Sequence, residues 1–149
     1  MNFGEACHGV SGLETAMGST PSGGDEDGSL YTFRGLSDGW PVVVGYWCRD
    51  GRFWKGVYMM DRTSLAEATG WYVMLKRKLM SEYDAPTTDL ASPELRQRLE
   101  ETLGHKVPDT DTYSCVWEKQ NVGIQLSMNG PFGGEGWQTS VTFESRKKI

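Results

Sequence analysis

Apolar residues along this 149-residue chain recur at two different spacings, and the changes between them mark its elements. Phe3, Cys7, Val10, Leu13 and Met17 step by three and four. That spacing predicts a helix over Phe3–Met17, capped by Asn2 and stopped at Gly18 and Pro21. A mobile polar connection, Ser22-Gly23-Gly24-Asp25-Glu26-Asp27-Gly28, is expected next. Strands follow over Leu30–Arg34, Val42–Cys48 and Phe53–Met60, the last two joined by Asp50-Gly51, a type I′ hairpin signal. Ser64 and Glu67 form a capping box ahead of a second helix over Leu65–Glu82, whose stripe is Leu65, Ala68, Tyr72, Leu75 and Leu79. Ser92, Pro93 and the Leu95, Leu99, Leu103 spacing predict a third helix ended by Gly104. Strands over Thr112–Glu118, Val122–Met128 and Trp137–Glu144 complete the set.

Hairpin registers assign faces, because directly paired residues share one. A two-residue Asp50-Gly51 turn pairs Cys48 with Phe53, Trp47 with Trp54, Gly45 with Gly56 and Val43 with Tyr58. Val42, Val44, Tyr46, Cys48, Phe53, Val57 and Met59 then point to the core. Trp47, Trp54 and Tyr58 point outward around two glycines. In the second hairpin Tyr113, Cys115, Trp117, Ile124, Leu126 and Met128 point inward, while Gln125 and its neighbours face solvent. The first sheet is therefore expected to expose aromatic rings, and the second a polar face.

The two halves repeat in kind. Met17-Gly18-Ser19-Thr20-Pro21 and Tyr83-Asp84-Ala85-Pro86 each close a helix, and Tyr31-Thr32-Phe33 corresponds to Tyr113-Ser114-Cys115. The expected fold class is α+β: a tandem helix-then-three-stranded antiparallel sheet repeat, with helices packed on one face of the sheet. One domain of two pseudo-repeats, 1–61 and 62–149, is expected. On these closing motifs and the Phe3-Gly4 start, the chain resembles a superfamily with two well-known branches. One is the small lipoprotein of the outer-membrane β-barrel assembly machine, the other the secreted β-lactamase-inhibitory proteins. The resemblance implies helical segments ahead of a short antiparallel sheet, twice over. The amino-terminal residues do not read as an export signal or lipobox cysteine of the kind the resemblance implies, and no inhibitory contact residue can be matched, so function is not expected to transfer.

Composition narrows the partners. Fifteen basic and twenty acidic residues leave a net charge of −5, which repels nucleic acid and anionic membrane in bulk. Lys76-Arg77-Lys78 reads as a solvated helix face, and Arg146-Lys147-Lys148 as a frayed tail. No apolar run reaches the length of a membrane span. The chain is expected in the cytoplasm, or exported if it is a processed form. Cys7, Cys48 and Cys115 read as buried free thiols, with a Cys48–Cys115 bridge as the alternative.

Candidate chemistry is sparse. His8 and His105 lack metal-ligand spacing, and Asp25, Glu26 and Asp27 lack the order of a calcium loop. No metal, cofactor or catalytic residue is expected. The glycine-rich stretch Asn129–Gly136 bridges two strands and carries Phe132 at its tip. The expected function is a noncatalytic module binding a protein or peptide through the open sheet face and this loop. Its candidate contacts are Trp47, Trp54, Tyr58, Gln125 and Phe132. The alternatives are a small-ligand binder or enzyme with a pocket between helices and sheet, and a homodimer joined through the aromatic face. Cover by a loop, or simple hairpin stabilisation by a Trp47–Trp54 pair, would also explain the rings.

Overall fold

The computed structural model describes residues 1–37, 39–90, 113–130 and 136–147. The expected third helix, His105 and Phe132 lie outside the described residues. Eight strands run as β1 (Thr20–Gly24), β2 (Leu30–Ser37), β3 (Trp40–Arg49), β4 (Arg52–Met60), β5 (Thr88–Leu90), β6 (Tyr113–Glu118), β7 (Val122–Asn129) and β8 (Gln138–Ser145). Among the described residues the α-helices are α1 (Val10–Ala16) and α2 (Leu65–Tyr83).

The strands form a single antiparallel sheet in the order β1-β2-β3-β4-β8-β7-β6-β5. This overturns the expected tandem repeat of a helix followed by a three-stranded sheet. Among the described residues, strand outnumbers helix two to one, 50% against 24%, so the sheet sets the architecture. The sequence pattern hid β1 and β5, the two edges. Thr20-Pro21-Ser22-Gly23-Gly24 has no alternation and all five residues are exposed. Such a strand is held mainly by its backbone hydrogen bonds, which side-chain periodicity does not report. Its proline suits an edge, where a missing N–H costs nothing.

The chain divides into two compact units. The first comprises Met1–Asp61, Lys119–Ile124 and Val141–Ile149, and the second Arg62–Glu118 and Gln125–Ser140.

In the first unit the expected long first helix is cut short. Residues 4–7 instead run beside the β3–β4 turn: the Gly4 N–H donates to Phe53 O at 2.8 Å, the Phe53 N–H to Glu5 O at 2.9 Å, and the Cys7 N–H to Gly51 O at 2.8 Å. Gly4 takes a φ of +86°, which a side chain would resist, and Phe3 stacks on Phe53 at 5.1 Å. Helical turns begin only at Cys7. Cys7 forms a disulfide with Cys48, which corrects the expectation of free thiols or a Cys48–Cys115 bridge. The acidic connection expected to be mobile is a closed turn: the Asp27 carboxylate accepts from the Ser29 N–H at 3.0 Å, and Asp25 accepts from the Ser29 hydroxyl at 3.0 Å. Val10, Phe33, Val42, Val44, Tyr46, Cys48, Phe53 and Met60 are buried.

In the second unit α2 starts where the capping signal put it. The Ser64 hydroxyl accepts from the Glu67 N–H at 3.2 Å, and the Glu67 carboxylate accepts from the Thr63 hydroxyl. Ala68, Trp71, Tyr72 and Leu79 bury one side of the helix. The buried Thr139 hydroxyl donates to Ala68 O at 2.9 Å, and Tyr72 meets Cys115 at 3.1 Å. Cys115 also donates to Asp89 at 3.3 Å, and Asp89 pairs with Lys76 at 2.7 Å. Trp117, fully buried, donates its indole N–H to Asp84 O at 3.0 Å and so ties β6 to the end of α2. Buried polar side-chain atoms among the described residues all have partners. In a low-dielectric interior each orphan would cost roughly 1–3 kcal/mol.

Candidate functional site

The β3–β4 hairpin carries three of the five expected contact residues, Trp47, Trp54 and Tyr58. Asp50 and Gly51 adopt φ values of 52° and 72°, the positive pair that a type I′ turn requires. Arg49 faces Arg52, and Cys48 faces Phe53, as expected. The register then slips by one: Trp47 pairs with Lys55, Tyr46 with Gly56, Gly45 with Val57, Val44 with Tyr58 and Val43 with Met59. Trp54 is the extra residue of a β-bulge.

The bulge rearranges the expected aromatic cluster. Trp54 and Lys55 together oppose Trp47, and the Lys55 ammonium lies 5.3 Å from the Trp47 ring and 5.9 Å from the Trp54 ring. The Arg49 guanidinium covers the Trp54 indole at 4.2 Å. The outcome is a row, Arg49–Trp54–Lys55–Trp47, of alternating cations and rings. Both tryptophans and Lys55 are half-buried, and Arg49 is exposed. Such contacts contribute about 0.5–1 kcal/mol each at exposed sites, enough to bias long cationic side chains towards the ring faces.

Gly45 is not the open floor that was expected. The Trp47 indole lies across it, and a Cβ there would sit 2.7 Å from a ring carbon. Gly56 belongs to the opposite face, where Phe53 lies over it. Tyr58 also changes sides. It shares the Val44 and Tyr46 face, meets Phe143 edge-on at 6.4 Å, and is 40% exposed. Burial and the nearby Glu14 charge hold its phenol pKa above the ordinary value, which fits that side of the sheet.

On that same face Glu14 is buried, only 2% exposed, and accepts a hydrogen bond from the Tyr46 hydroxyl. Burial and this bond push the Tyr46 pKa well up. The pair fastens α1 to β3.

Of the expected contacts, then, Trp47 and Trp54 are brought together and Tyr58 is separated from them. Gln125 is exposed on β7 of the second unit, and Phe132 lies outside the described residues. Sequence reasoning missed Arg49 and Lys55. A bulge leaves no periodic signature, so nothing in Phe53-Trp54-Lys55-Gly56 showed that two consecutive side chains would share a face.

On the remaining outer face Leu30 is opposite Trp47, and Thr32 is opposite Gly45 and bonded to Ser22 at 3.2 Å. Arg34 pairs with Asp61 at 3.3 Å, an exposed contact. Among the described residues no group of three or more His, Cys, Asp or Glu side chains could hold a metal ion, and no helix is long and apolar enough to cross a membrane. No protein-family model, curated protein or solved structure matches the chain, so the likeness to the inhibitory and small-lipoprotein superfamily rests on its short motifs alone.

Proposed function

We propose that the protein is a noncatalytic binding module that recognises a protein or peptide through the outer face of β3 and β4. The row Arg49–Trp54–Lys55–Trp47 carries this reading. It sets two large rings and two cations side by side on a half-exposed strand face. Tryptophan and arginine dominate binding energy at interfaces because they offer rigid area with polar reach. The two rings are the centre of the site; Tyr58, on the other face, is not part of it.

A peptide-display selection against the full chain tests the reading. Enriched peptides should bind at least tenfold more weakly to a Trp54→Ala variant and equally well to Tyr58→Ala. Circular dichroism and the thermal midpoint confirm that both variants fold. Peptides indifferent to Trp54→Ala would overturn the proposal.

A further inference from the structure

We infer that the partner offers an acidic peptide segment, with its carboxylates seated on Arg49 and Lys55. This rests on the outer-face reading above and adds the chemistry of what binds there. Four cations lie on the outer face of β2, β3 and β4 in a chain of net charge −5: Arg34, Arg49, Arg52 and Lys55. Arg34 is matched by Asp61 at 3.3 Å, and Arg52 donates to Gly4 O at 2.8 Å. Arg49 and Lys55 have no carboxylate among the described residues; they rest on indole faces.

Arg49 stands directly opposite Arg52, an arrangement that like-charge repulsion disfavours in a ladder. An anionic occupant would relieve it. The nearby acidic turn makes no ion pair with Arg49 or Lys55, and its Asp25 and Asp27 carboxylates accept from Ser29 instead.

The geometry also selects among anions. From Gly45 to Arg49 the strand extends about 14 Å at ~3.4 Å per residue, the span of about five residues of extended peptide. Nucleic acid on aromatic platforms stacks its bases on open rings. Here the cations already occupy ring faces. A second copy of this chain, meeting the face about a two-fold axis, would set the same cations against each other.

The test is a titration of the full chain with octaglutamate at low salt, read by tryptophan fluorescence and calorimetry. Octalysine, a neutral Gly-Ser octapeptide and oligo-dT serve as comparisons. Octaglutamate should bind saturably, at least tenfold more tightly than the other three. An Arg49→Gln/Lys55→Gln variant should lose tenfold or more in affinity with an unchanged thermal midpoint, and an Arg49→Lys/Lys55→Arg variant should retain binding. Equal affinity in the charge-neutral variant, or tighter binding of oligo-dT or either control peptide, would overturn the inference. Displayed peptides that depend on Trp54 but are neutral or basic would overturn the acidic partner and leave the outer-face reading standing. If no displayed peptide depends on Trp54, both fall.

Discussion

Gly45 lies beneath the Trp47 indole, so the position of the ring depends on a missing side chain. Gly45→Ala should displace Trp47 and destabilise the protein by roughly 1–3 kcal/mol, the usual cost of overfilling a packed site. Denaturant melts and a shifted tryptophan emission would show both effects; an unchanged melt would mean that the ring is free to move aside. Asp84 presents the opposite case. At φ 65° and ψ −160° it occupies a region that glycine tolerates and other residues resist, and it is held there at the end of α2, where its carbonyl accepts from Trp117. Asp84→Gly should therefore raise stability by about 1 kcal/mol, since such backbone strain costs of order 1–3 kcal/mol. A lower thermal midpoint would contradict this.

Among the elements, the Cys7–Cys48 bridge ties the start of the short helical segment to β3 across a separation of 41 residues. In the chain-entropy account a loop of this length contributes about 4 kcal/mol, so a Cys7→Ser/Cys48→Ser variant should lose stability of that order in urea melts. A loss below 1 kcal/mol would show that residues 4–7 are held by their backbone pairing alone. This pairing also shows how far the sequence could be read. The six apolar strands, the Asp50-Gly51 turn and the Ser64 cap were legible because each rests on local periodicity or on a residue-specific dihedral. The edge strands β1 and β5 and the disulfide were not, because the strands rest on backbone pairing without apolar alternation and the bridge on a partner 41 residues away. The site was half legible. Alternation placed Trp47 on the outer face, but the bulge that turns Trp54 and Lys55 to join it, and sends Tyr58 across the sheet, cannot be seen in alternation.

For the molecule as a whole, charge and ionisation set the conditions under which the account can be tested. Burial raises the thiol pKa of Cys115 above 9.0 and the phenol pKa values of Tyr46 and Tyr72 above 10.0. The unfolded chain gives up these protons first as pH rises, so it binds fewer of them than the native state and stability falls with increasing pH. Stability should be level across neutral pH and decline from about pH 9 upward. A Cys115→Ala variant should lack the earliest part of that decline, and urea midpoints taken from pH 7 to 11 would reveal it. Peptide binding should weaken with salt, because exposed charges are screened beyond ~8 Å at physiological ionic strength. The central claim is that the Arg49–Trp54–Lys55–Trp47 row is the binding face. Its most direct test is a proton–nitrogen NMR titration of the indole signals of the six tryptophans with octaglutamate. The Trp47 and Trp54 signals should shift together and saturate, while those of buried Trp71, Trp117 and Trp137 stay in place. Shifts confined to the other indoles, with Trp47 and Trp54 unmoved, would contradict it.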